Sequence, residues 1–311
     1  MAMSRNILCS RKLSPAVMLA LLVAAVIAPA SRAAEAPTSE GIAVDVVGEG
    51  RPVLMIPGLS SSAEVWRETC AALQPQVQCH IVQLPGFAGL PPVKEAHFME
   101  GMRDRLLRYV EKRGLRQPAV MGHSLGGVLA LQMAIAKPEE LGPLVIVDSL
   151  PFLPAAQNPA ATAEMMKPMV EGMRTQLLSI GADAWRAQSE ATARGMVRTP
   201  ERVGTVADWS VASDRATVGQ AMAELMSTDL RGQLGAIRSP VLVLAAWAAY
   251  AAQGGTPEMT TSIFRTQYAG LHDVRIEVSR TGYHFLMWDD PQWLQAQVRE
   301  FLASPVQDTK H

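Results

Sequence analysis

Pro118-Ala-Val-Met-Gly122-His-Ser124-Leu-Gly126-Gly127-Val-Leu-Ala-Leu131 decides the fold. A short apolar run passes without a linker into Gly-x-Ser-x-Gly, and an Ala/Leu-rich helical pattern continues to Lys137 and stops at Pro138. A serine in that setting sits on a sharp strand-to-helix turn, where side chains at Gly122 and Gly126 would crowd the backbone. The helix that begins there points its N-terminal amides and positive dipole end at any negative charge developing beside the serine. In a chain with 23 glycines the five-residue string alone says little. The strand before it and the helix after it carry the reading, against the alternative of a helix-capping serine in a glycine-rich turn.

Working outward, short apolar runs alternate with helical patterns. Val53-Leu-Met-Ile56 reads as a buried strand closed by Pro57-Gly58, and Ser62 to Leu73 as a helix. His80-Ile-Val-Gln-Leu84 is the next strand, ended by Pro85-Gly86, and His97 to Gly114 is an amphipathic helix with a glycine stop. Beyond the elbow, Leu144-Val-Ile-Val147, Val241 to Leu244 and Val274 to Val278 read as strands, with helices near Thr256 to Gly270 and Gln292 to Leu302. Strand alternating with helix predicts an α/β fold, its central sheet mostly parallel and covered on both faces. From about Leu150 to Arg238 no strong strand occurs. That stretch is rich in Met (165, 166, 169, 173, 196, 222 and 226) and reads as a helical cap, 150–238, inserted in a core of 34–149 and 239–311. An insertion after the strand ending at Asp148 would overhang the carboxyl ends of the strands, where open α/β sheets bind ligands.

Three signatures in order, Pro57-Gly58 after the first long strand, Gly122-His-Ser-Leu-Gly-Gly127 and Gly282-Tyr-His-Phe285 followed by Asp290-Pro291, resemble the α/β-hydrolase family over roughly residues 40 to 303. The resemblance implies a serine hydrolase with Ser124 as nucleophile. A serine needs a base within hydrogen-bonding reach. Of six histidines, His284 lies between the last strand and last helix, where the family keeps its base. His123 would point away and bond structurally, His80 opens a strand, His97 and His272 look like surface or helix positions, and His311 is terminal. The acid departs from the commoner pattern: Ala245-Ala-Trp-Ala-Ala-Tyr-Ala-Ala-Gln-Gly-Gly255, after the penultimate strand, contains no carboxylate. The other family position, the end of the strand after the elbow helix, supplies Asp148, as in haloalkane dehalogenases and other capped members. Glu258, Asp273 and Asp289 remain alternatives, Glu258 also being explained as an early-helix residue after Thr256-Pro257. The oxyanion donors implied are the amides of Leu125 and of Leu59 in the Gly58-Leu59-Ser60 loop.

No phosphate loop, metal-ligand cluster or nicotinamide fingerprint stands out, so the expected chemistry needs neither cofactor nor metal. Trp66, Phe87, Phe152, Leu153, Trp247 and the cap methionines are the candidate pocket walls, apolar and adaptable. They favour a small-molecule ester with a modest apolar part. An aminopeptidase, amidase or lactonase using the same triad is the alternative, and a non-catalytic binder of the same fold is a third reading.

The bulk numbers agree. Hydrophobic residues make up 49% and charged residues 18% of 311 residues, and the net charge of −1 comes with no basic run, so nothing suggests a nucleic-acid partner. Arg5, Arg11 and Lys12, the apolar run Ala16 to Ala28 and the small residues Ser31 and Ala33 describe a secretory signal peptide over 1–33, cut before Ala34. Thirteen apolar residues fall short of the roughly 20 a bilayer span needs, so no stable membrane insertion is expected after cleavage. Cys9 lies in the leader; Cys70 and Cys79 remain as an even pair in an oxidising compartment, able to close a short loop between a helix end and a strand. An exported, periplasmic or secreted protein follows.

Overall fold

The computed structural model describes residues 40–303; the expected signal peptide lies outside them. Seven strands form one sheet: β1 (Ala43–Val47), β2 (Arg51–Ile56), β3 (Val77–Gln83), β4 (Ala119–His123), β5 (Leu144–Val147), β6 (Val241–Ala245) and β7 (Val274–Val278), in spatial order β1-β3-β2-β4-β5-β6-β7. Only β1 runs antiparallel, pairing Val44 with Val82 of β3; every other neighbouring pair is parallel. The sequence reading missed β1, a short edge strand whose tail from Val46 is only half-buried. It also started β3 three residues late, so His80 sits mid-strand and buried rather than at the strand's opening.

The central strands read as unbroken apolar runs because both faces are covered. Successive side chains point to opposite faces, and the two cores divide accordingly. Leu54, Ile56, Val120, Leu144, Ile146, Val241 and Val243 join α2 (Phe98–Lys112), α3 (Leu125–Ala136) and the inner residues of α8 (Pro257–Gln267). Val53, Met55, Met121, Val145, Val147, Leu242 and Leu244 join α1 (Arg67–Leu73) and α10 (Pro291–Ala303). Helix α3 lies between sheet and α2 with ten buried residues, which explains why its sequence is apolar all round.

Between β5 and β6 the chain makes four helices, α4 (Ala163–Ser179), α5 (Ala182–Met196), α6 (Pro200–Ala212) and α7 (Arg215–Ser227). Helix α4 packs against α7, and α5 against α6, while α7 also reaches α2. Thr162 and Asp214 cap α4 and α7 by accepting from Met165 N and Thr217 N. A short helix not read from the sequence, α9 (Leu286–Asp289), precedes α10. Cys70 on α1 and Cys79 on β3 are joined by a disulfide with a Cα–Cα distance of 6.1 Å. Among the described residues no helix is long and apolar enough to cross a membrane.

Candidate active site

Strand β4 ends at His123, and Ser124 follows in a left-handed conformation with φ 52°, immediately before α3. A non-glycine residue there is strained and persists only where its surroundings over-determine it. The surroundings do so here. Ser124 N donates to Val147 O at 3.0 Å, and Ser124 O accepts from Gly127 N at 2.8 Å. A third bond comes from the turn after β5, where Ser149 Oγ donates to Ser124 O at 2.7 Å. The glycines are needed sterically: a Cβ on Gly122 would lie 2.2 Å from Gly126 O, and one on Gly126 2.3 Å from Ile56 O.

Asp148 stands one residue past β5 and is also left-handed, with φ 43°. Its amide donates to Leu244 O at 2.7 Å, and its Oδ1 accepts from Ala246 N at 2.9 Å. Its other oxygen, Oδ2, accepts from His284 Nδ1 at 2.7 Å. Because the carboxylate can only accept, Nδ1 carries the proton, and a neutral ring then leaves Nε2 as the acceptor. The loop after β6, which lacks a carboxylate, thus contributes a backbone amide to the acid instead. Tyr268, wholly buried, donates its hydroxyl to Ser149 O at 2.8 Å; burial and the nearby Asp148 charge raise its pKa well above the ordinary value and keep it a donor.

His123 does not compete for the proton. Its Nε2 donates to His284 O at 3.0 Å, and its ring lies 4.5 Å from the His284 ring, centroid to centroid. Complete burial, and secondarily the neighbouring His284, push its pKa well below the ordinary histidine value, so it stays neutral. The Gly58 loop lies against the elbow, since a Cβ on Gly58 would meet Ser124 Cβ at 3.2 Å. Leu125 is the first residue of α3, where amides have no helical partner, and Leu59 is half-buried beside the α2–α3 core.

The other carboxylates lie elsewhere. Glu258 is in the first turn of α8, whose cap Thr256 accepts from Met259 N; its lowered pKa follows from backbone and Thr256 hydrogen bonds. Asp273 precedes β7, at the end of the strands opposite the elbow, and its carbonyl accepts from Val241 N. Both oxygens of Asp289 are engaged by residues 198, 199 and 283.

The candidate pocket walls separate into two groups. Trp66, Phe87 and Phe152 are fully buried: Trp66 packs in the core on the α1 side, Phe87 against Phe98 at 5.3 Å, and Phe152 under the Arg231 guanidinium. In this conformation they offer no surface. Leu153 is 40% exposed, and Trp247 is partly exposed at the end of β6 with its indole N–H buried and unpartnered. Of the cap methionines, Met165, Met169 and Met173 face outward from α4, while Met166 packs on the Phe152 cluster. Among the described residues no three His, Cys, Asp or Glu side chains gather as a metal site would require.

A strained serine between a parallel strand and a buried helix, with a carboxylate–imidazole pair at the end of the neighbouring strand, suits the hydrolase class, and comparison places the chain within it. The model of the alpha/beta hydrolase family matches residues 53–297, and the chain belongs to that family. It is 29% identical over 133 residues to a pimeloyl-[acyl-carrier protein] methyl ester esterase of Vibrio atlanticus, covering 43% of this chain and 50% of that one. The same-named enzyme of Edwardsiella ictaluri is 26% identical over 203 residues, 62% of this chain and 72% of that one. The first of these matches therefore spans only about half of its relative's length. Among solved structures, a hydrolase from Pseudomonas aeruginosa superposes with a TM-score of 0.68 at 19% identity, covering 86% and 97% of the two chains. An enol-lactonase from Burkholderia xenovorans gives 0.69 at 14%, covering 85% and 96%, so these neighbours speak to the fold.

Proposed function

We propose that the chain is an exported serine hydrolase that cleaves carboxylic esters of small to medium apolar substrates. The observation that carries this reading is the 2.7 Å bond between His284 Nδ1 and Asp148 Oδ2, at the end of the strand whose Val147 carbonyl accepts from the amide of Ser124, itself held at φ 52° on the elbow. In the proposed reaction His284 Nε2 takes the proton of Ser124 Oγ as the oxygen attacks the ester carbonyl. The amides of Leu125 and Leu59 stabilise the oxyanion that forms; one such donor contributes about 10²- to 10³-fold in rate. His284 then returns the proton to the departing alcohol. A water activated by the same ring cleaves the acyl-enzyme, freeing the acid and restoring Ser124. Asp148 holds the ring in the required tautomer and stabilises the imidazolium.

The relatives' names bring a methyl ester of a medium acyl chain to the head of the substrates to test. Export rests on the leader-like composition of residues 1–33 and fits the Cys70–Cys79 pair. The deciding experiment is hydrolysis of p-nitrophenyl acetate to octanoate and of methyl esters by the mature protein and by Ser124→Ala, with matched amides and a lactone alongside. Turnover that vanishes in the variant supports the reading. Turnover that survives it, or preference for the amide or lactone, replaces it. Export is checked by the N-terminal residue of the secreted chain, expected to be Ala34.

A further inference from the structure

Of the hydrogen bonds that hold the backbone around His284, one ties it to the core through His123 and two lead into the cap. The first comes from the core, where His123 Nε2 donates to His284 O at 3.0 Å. On one flank, Phe285 N donates to the carbonyl of Met196, the last residue of α5, at 3.3 Å. On the other, Tyr283 N donates to Asp289 Oδ2 at 3.2 Å. That same oxygen accepts from Arg198 N at 2.9 Å, and Oδ1 accepts from Thr199 Oγ1 at 3.3 Å. Residues 198 and 199 form the connection from α5 to α6. Asp289 therefore joins two segments, the base loop and the cap connection, that are 84 or more residues apart in the chain by number.

The contact around it is continuous. Trp288, beside Asp289 on α9, has its ring covered by the Arg202 guanidinium at 4.7 Å and lies 5.4 Å from the Trp209 ring, both from α6. Arg202 also pairs with Glu68 on α1, and the Arg198 guanidinium donates to Thr281 O at 3.4 Å. A carboxylate that accepts from two backbone amides and a hydroxyl leaves those donors without a partner when it is removed, and the loops they belong to are free to separate.

We propose that Asp289 is a positioning residue that latches the α5–α6 connection of the cap to the base loop, so that docking of this part of the cap completes the hold on His284 that its bonds to His123 and Asp148 begin. The proposal rests on His284 being the general base. It makes the cap part of the catalytic geometry as well as a cover, because cap displacement at residues 198–199 loosens the backbone at 283–285.

Two pairs of variants test it by ester kinetics and by amide hydrogen exchange at residues 283–285. Asp289→Ala removes all three acceptor contacts, whereas Asp289→Asn keeps an oxygen that can accept from both amides. Arg198→Pro deletes the cap's N–H donor together with the side chain that reaches Thr281 O, and its difference from Arg198→Ala isolates the donor; the extended Val197 before it, φ −126° and ψ 129°, tolerates a following proline. Arg198→Ala keeps that donor and removes the side chain. Asp289→Ala and Arg198→Pro are expected to lower kcat about 10- to 100-fold, the scale of a sub-ångström to 1 Å misplacement of a catalytic group. KM should stay within about twofold, since no substrate contact is removed. Exchange at 283–285 should quicken in both, and Asp289→Asn and Arg198→Ala should stay near the parent in both readouts. Should Asp289→Ala not fold, Arg198→Pro decides. The latch is overturned if Arg198→Pro matches Arg198→Ala in kcat and exchange. If instead Ser124→Ala keeps full activity while exchange quickens in the latch variants, the esterase reading falls and the mechanical link stands.

Discussion

The two halves of the candidate site are held by different parts of the molecule. Ser124 and Asp148 stand at the ends of neighbouring strands, both with positive φ, fixed by sheet ladders, by Ser149 Oγ and by the Ala246 amide. Every one of those contacts comes from within the sheet or the turns at its edge. His284 stands on a loop whose flanking amides are held by Met196 and Asp289, and so by the cap. Strain at the nucleophile and acid is over-determined by the rigid core. His284 has two core tethers, from His123 to its carbonyl and from its own Nδ1 to Asp148, and its flanking amides add two that lead to the α5–α6 connection. Precision on one side comes from the sheet alone, and on the other from the sheet and from docking together.

The comparison can be broken most forcibly at the contact that joins the halves. Asp148→Asn keeps the shape but disturbs the tautomer of His284, and turnover should fall by about 10⁴-fold; near-parental kcat would remove Asp148 from the triad. A smaller effect is expected inside the core half alone. Ser149→Ala deletes the bond to Ser124 O, costing about 1 kcal/mol in a urea titration. It should also slow fluorophosphonate labelling of Ser124 by a few-fold, because the elbow loses one of its ties. If labelling is unchanged, the sheet ladder alone fixes the serine. The effect smallest for turnover concerns the frame beneath both halves. His80, bonded to Tyr109 Oη at 2.8 Å, has its pKa lowered to about 4, mainly by burial and further by Arg113. Its neutral form is the one the fold keeps, so its contribution is complete above the ordinary value of 6.5 and is lost as pH falls towards 4. Urea midpoints at pH 7 and pH 4.5 should therefore drop further in the parent than in His80→Gln. An equal drop would place acid sensitivity elsewhere.

Much of this was legible in the sequence, for physical reasons that differ by residue. The elbow could be read because its requirement is local: the strand, the two small residues that avoid a 2.2 Å clash, and the helix are contiguous. Asp148 could be placed at the end of a strand, and its pairing with His284 could be expected but not seen. Trp66, Phe87 and Phe152 show the limit of composition, since an aromatic in a pocket and one in a core have the same letters. Asp289 was readable only as a spare carboxylate near the base. Its partners are backbone amides at 198 and 283, and a backbone amide has no signature in sequence. Strand β1 escaped because Ala43-Val-Asp-Val-Val47 is short, carries a charge and lies at an edge.

Placing the acid at the end of β5 also sets an order of assembly. The proposed nucleophile, Ser124, and acid, Asp148, are both encoded by residue 148, the helices between β5 and β6 follow, and the proposed base comes only at residue 284. A chain emerging from the ribosome would thus carry Ser124 without its proposed proton acceptor until nearly its whole length had been made. On the proposed roles, hydrolytic competence would arrive last and all at once, when the loop that carries His284 closes on Asp148.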